Sequence, residues 1–223
     1  MSNQKPILVD SETAVLPHRV LQPKTAGPHP TVLMIHGRWG TEDVMSIFRQ
    51  TIPEEWLIVA PRGIVQEENG RFSWHPRQQD EWPTLAMFET AVATIIQFIY
   101  SLPSLYNADL NQIYLMGFSQ GAATSLATAI HDPELVKGIA SLVGFMPREA
   151  AVAIETARLA ELPVFMAAGT KDERIPLSIA RESGKAVRAA GAFLEYREYE
   201  TGHKLNGAGM RDLKQWWGER ATD

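Results

Sequence analysis

Short apolar runs rich in β-branched residues alternate with helix-length segments from residue 30 onward, and that alternation narrows the fold more than any other feature. The runs are "PTVLMIH" at 30–36, "LIVA" at 57–60, "QIYLMG" at 112–117, "KGIASLV" at 137–143, "PVFMAA" at 163–168 and "FLEYREY" at 193–199. The first five are almost continuously hydrophobic, as strands are when helices cover both faces of a parallel sheet. Residues 7–10 and 18–21 predict a leading hairpin. Helices are expected over 83–102, 119–131, 149–161, 176–190 and 206–217. Pro83 suits a first helical turn. Pro103 should stop that run, and Gly191 follows its helix as a C-cap would. No Gly/Ser/Pro linker interrupts the pattern. It predicts one α/β domain over residues 1–223, a doubly wound, mostly parallel sheet flanked by helices.

Composition excludes several classes. The chain has 223 residues and no cysteine, so disulfides, thiolate metal sites and cysteine nucleophiles are ruled out. Its net charge of -5, with no basic block, argues against a nucleic-acid partner. The start "MSNQKPILVD" lacks the apolar core of a signal peptide. Apolar stretches such as "TVLMI" and "IASLVGFM" are too short to cross a bilayer. The expectation is a cytoplasmic protein without a transmembrane segment, its oligomeric state left open. Neither a G-x-x-x-x-G-K-[ST] loop nor a G-x-G-x-x-G match is present, which disfavours a nucleotide-binding reading.

The chemistry is expected at residues 117–121, where Gly117-Phe118-Ser119-Gln120-Gly121 joins a predicted strand to a predicted helix. G-x-S-x-G in that context is a nucleophile elbow. The chain reverses so sharply that the serine backbone is strained, and the flanking glycines avoid the neighbouring strand and helix. A serine there can equally be a helix N-cap, so its partners decide the matter. In this arrangement the acid and then the histidine follow the serine. Only His131 and His203 follow Ser119. His131 lies about 18 Å away along the helix that starts at Ser119. His203, just after the last predicted strand, remains. Between serine and histidine the aspartates are Asp132, which fails as His131 does, and Asp172, in the loop after 163–168. Glu173 is the neighbouring alternative. Ser119, Asp172 and His203 thus each fall just after a strand, at the edge where open α/β sheets bind ligands. The aperiodic segment 61–82 also follows a strand and is expected at that edge.

In order, "MIHGRWGTEDV", "APRG", "FSWHP", "LMGFSQGAA", "GTKDERIP" and "ETGHKL" resemble the phospholipase/carboxylesterase family of α/β-hydrolases, which includes acyl-protein thioesterases. The resemblance covers roughly residues 30–217. It implies an α/β-hydrolase fold without a large cap domain, acting on small-molecule esters or thioesters with no cofactor and no metal. Two positions depart from the pattern: Ala122 replaces a second glycine after the elbow, and Arg38 replaces a leucine after "HG". An oxyanion hole is implied at the backbone N–H groups of Gln120 and Arg38, with Trp39 as the alternative second donor. The family pattern suggests Trp74 as a lining residue, and Trp39, Ile175 and Leu205 lie near the triad in sequence. Arg38, Arg62, Arg71 and Arg77 could favour an acidic or phosphate-bearing substrate. His36 reads as a structural residue pinning the oxyanion loop. Two rivals stay open: a catalytically silent binding protein, and another triad reaction such as an amidase, perhydrolase or lyase.

Overall fold

All six apolar runs form strands in the computed structural model, which describes residues 5–10, 14–76 and 82–221. The hairpin is β1 (Ile7–Val9) and β2 (His18–Leu21). It is followed by β3 (His29–Ile35), β4 (Leu57–Pro61), β5 (Val65–Gln66), β6 (Phe72–Ser73), α1 (Glu89–Tyr106) and β7 (Ala108–Phe118). Then come α2 (Gln120–His131), β8 (Gly138–Leu142), α3 (Ala151–Glu155), β9 (Pro163–Gly169), α4 (Leu177–Ala189), β10 (Phe193–Tyr199) and α5 (Gly207–Arg220). Eight strands make one sheet in the order β1-β2-β4-β3-β7-β8-β9-β10, while β5 and β6 pair apart. β2 runs antiparallel to β1 and β4, and the six strands from β4 to β10 along the sheet are parallel.

The near-continuous hydrophobicity of the strands has a direct cause. Leu33, Ile35, Leu57, Val59, Ile113, Leu115, Ile139 and Val164 point to one face, where they pack with α1, α2 and α4. The intervening Val32, Met34, Ile58, Tyr114, Met116, Ala140 and Phe165 point to the other, under Met45, Phe48 and the α5 residues Leu213, Trp216 and Trp217. Each side chain of the pleat therefore has an apolar neighbour, and period-two alternation has nothing polar to mark. By length and a mean hydropathy of 1.5, the segment Leu85–Tyr106 is apolar enough to cross a bilayer. In this fold it lies against the sheet and α2, burying Ala91, Val92, Ile95, Phe98, Ile99 and Leu102.

Helix ends depart most from the sequence pattern. Pro103 lies inside α1 instead of stopping it, and the helix ends at Asn107, left-handed at φ 55°, whose N–H donates to the Pro103 carbonyl at 2.9 Å. A proline in the last turn forfeits a single hydrogen bond, which packing of the apolar stripe outweighs. The expected helix 149–161 is only the five-residue α3, followed by turns. Ala157 and Glu161 take positive φ, and the Leu159 and Glu161 N–H groups donate to the Ala190 and Gly191 carbonyls beyond α4. Tertiary hydrogen bonds there replace the helical ones that local propensity favours.

Candidate active site

Ser119 sits between β7 and α2 at φ 54°, ψ −117°, outside the ordinary regions for an L-residue. The glycines around it have no room for side chains. A Cβ on Gly117 would run into the Gly121 carbonyl, and one on Gly121 into the Ile35 carbonyl. Ala122 is accommodated because position 144 is glycine: a Cβ on Gly144 would meet the Ala122 methyl group.

β9 and β10 deliver the other two residues. Asp172, after β9, accepts the Arg174 and Ile175 N–H groups on Oδ1 at 2.8 and 3.0 Å. Its Oδ2 is thereby aimed at His203, which follows β10, and meets Nδ1 at 2.8 Å. A carboxylate can only accept here, so Nδ1 carries the proton and Nε2 keeps its lone pair. The Asp172 side chain is 2% exposed. Glu173, by contrast, is exposed. The His203 ring also meets the Phe118 ring edge-on at 5.2 Å. Ser119 and His203 line the same cleft, and among the described residues no hydrogen bond joins them. His131 and Asp132 stay at the far end of α2.

The loop after β3 completes the site. His36 is fully buried; its Nε2 accepts the Gly63 N–H at 2.9 Å, which leaves the proton on Nδ1 for the Gly37 carbonyl at 2.7 Å. Burial lowers its pKa to about 4, so it stays neutral. It holds the loop as expected. The Trp39 N–H donates to Ser73 Oγ at 3.3 Å. The Arg38 and Gln120 N–H groups have no acceptor among the described residues. The Gln120 side chain accepts the Trp74 N–H at 2.9 Å.

Of the expected wall residues, Trp39 and Ile175 line the cleft. Trp74 and Leu205 do not. The indole N–H of Trp74 needs an acceptor and finds one inward, the His36 carbonyl at 2.8 Å, leaving the residue 1% exposed beneath the loop. Leu205 packs on Gly209 at the start of α5. Arg38 and Arg71 line the cleft, whereas Arg62 is paired with Glu42 (Nε to Oε2 at 2.9 Å) and lies over the Phe72 ring. Arg77 lies outside the described residues. Sequence reasoning missed Arg174, His75, Trp82 and Phe145, which also line the cleft. Arg174 lies two positions after Asp172 and Phe118 directly precedes Ser119, so both could have been found. Phe145 reaches the cleft after β8 and meets Trp82 from the 61–82 segment at 5.1 Å, a meeting without a sequence signature.

A parallel sheet with a strained serine after one strand, a carboxylate after another and a histidine after the last is the arrangement of the α/β-hydrolases. Comparison with known proteins narrows this. A family model described as Phospholipase/Carboxylesterase matches residues 16–217, and the chain belongs to that family. Over 189 residues it is 24% identical to MhqD of Bacillus subtilis (strain 168), named a hydrolase, covering 84% of this chain and 92% of that one. Over 106 residues, 47% of this chain, it is 28% identical to a protein of Oryza sativa subsp. japonica named a probable inactive carboxylesterase. There the match spans only 43% of the relative's length. The carboxylesterase from Mesorhizobium loti superposes with a TM-score of 0.84 at 20% identity, over 96% of this chain and 99% of that chain.

Proposed function

We propose that the protein is a serine hydrolase that cleaves carboxylic esters or thioesters through an acyl-enzyme on Ser119. The observation that carries this reading is the orientation of Asp172. One oxygen is fixed by two backbone N–H groups and the other holds His203 Nδ1 at 2.8 Å. The imidazole is thereby kept in the tautomer that a general base needs, beside a serine in the same cleft.

Ser119 Oγ attacks the carbonyl carbon while its proton passes to His203 Nε2. The carbonyl electron pair moves onto oxygen, where the Arg38 and Gln120 N–H groups donate to it. Asp172 stabilises the imidazolium without taking its proton. The tetrahedral adduct collapses, the bond to the leaving oxygen or sulfur breaks, and Nε2–H protonates the leaving group. Water then repeats the sequence on the acyl-enzyme, with His203 as base, and releases the acid. Donors that belong to the backbone explain why Arg38 can stand where leucine is usual.

Ser119→Ala should lower kcat for p-nitrophenyl esters by about 10³-fold or more with the circular dichroism spectrum unchanged. A fluorophosphonate probe should label the parent protein and spare the variant. Near-normal turnover by Ser119→Ala would refute the assignment. Failure of the probe to label an ester-inactive parent would favour a silent binding protein, the reading suggested by the rice relative's name.

A further inference from the structure

The cleft wall is basic in a protein whose net charge is -5. Arg38, Arg71 and Arg174 line it, against Glu68 as the only acidic residue among the described residues of that wall. Several arginines elsewhere are paired with carboxylates: Arg19 with Asp43, Arg62 with Glu42, Arg181 with Glu198, and Arg197 with Glu195. The three cleft arginines have no carboxylate partner among the described residues. Arg38 rests instead 5.6 Å from the Trp39 ring.

An independent observation places a further polar group on this wall. His75 is 6% exposed and lines the cleft, with Nδ1–H donating to the Pro76 carbonyl at 2.7 Å. Its Nε2 is buried and has no hydrogen-bond partner among the described residues. Burial, with Arg38 adding to it, lowers the pKa of this imidazole, which fixes Nε2 as a bare acceptor. A buried polar atom without a partner is uncommon, and this one belongs to a residue of the cleft wall. A channel built only for a neutral acyl chain would carry neither feature.

We propose, resting on the ester-hydrolase reading above, that the substrate carries an anionic group, carboxylate or phosphate, held by Arg38, Arg71 and Arg174. Trp39, Phe118 and Ile175 enclose the rest of the acyl group. The guanidinium fork matches either oxyanion through paired N–H donors.

The test compares p-nitrophenyl hexanoate with the mono-p-nitrophenyl ester of adipate, equal in chain length and different by one terminal carboxylate. The charged ester should have kcat/KM about tenfold higher, chiefly through KM, a modest factor because the arginines are partly exposed. In Arg71→Gln/Arg174→Gln the ratio of the two kcat/KM values should fall to within about twofold of unity, and high salt should compress it likewise. Hexyl phosphate and adipate, used as competitors, separate the two anions by their relative inhibition. A parallel measurement needs no turnover: calorimetric binding of monomethyl adipate and methyl hexanoate to Ser119→Ala. If neither p-nitrophenyl ester is cleaved, the hydrolase reading falls while this binding comparison still decides the anion site. Equal binding of the two esters, or a ratio unmoved by the double variant, overturns the proposal.

Discussion

Asp172→Asn tests the logic of the site more sharply than removal of Ser119. The substitution is isosteric, so packing should not change. Two backbone donors, the N–H groups of Arg174 and Ile175, already claim Oδ1 at 2.8 and 3.0 Å. An asparagine must keep its oxygen there, because an amide NH2 facing two N–H groups would leave all of them unpaired. Its NH2 then faces His203 Nδ1, where the carboxylate accepted at 2.8 Å. A donor at that place forces Nδ1 to accept and moves the imidazole proton to Nε2, where it faces the serine. The proposed general base is lost while the geometry remains. In an unrelated serine protease the same exchange lowers kcat by about 10⁴-fold, or roughly 5 kcal/mol of barrier. A similar loss is expected here in kcat for p-nitrophenyl acetate, with KM little changed and thermal unfolding within a degree or two of the parent. A variant that retains kcat within about tenfold would refute the tautomer argument, and so would one that loses its fold.

Three further predictions concern stability. Gly121→Ala puts a methyl group on the Ile35 and His36 carbonyls at the end of β3, and should cost about 2 kcal/mol or more in urea unfolding. Gly218→Ala, with open space around it near the end of α5, should cost nothing and gain up to about 1 kcal/mol. His36 links stability to pH. Its pKa of about 4 in the folded protein lies below the ordinary 6.5, so the unfolded chain binds the proton more readily. The stability it contributes is complete above pH 6.5 and is lost as pH falls toward 4, amounting to roughly 3 kcal/mol. Burial lowers the pKa of His18 and His75 in the same direction. Urea midpoints measured between pH 7.5 and 4.5 should therefore decline toward acid, about as far as these histidines allow; a flat profile would contradict the neutral assignment.

Read alone, the chain already determined the parallel sheet and singled out Ser119, Asp172 and His203 as the residues to propose for the chemistry. The sheet was legible because burial on both faces demands unbroken apolar runs, which are visible without coordinates. The three residues were legible because the elbow requires glycines at fixed offsets and because few histidines and aspartates follow it. Tertiary contacts decided the rest. They let α1 run through Pro103 and ended α3 early, since packing and hydrogen bonds to distant carbonyls outweigh local propensity. They gave the Trp39 N–H to Ser73, 34 positions away, and left the Arg38 N–H without an acceptor among the described residues. They drew Trp74 under the loop after β3 and turned Leu205 toward α5, and they brought Arg174, Trp82, Phe145 and His75 to the cleft. A residue's position along the chain shows which edge of the sheet it reaches. Which way its side chain then turns depends on the donors, acceptors and volume that other segments supply.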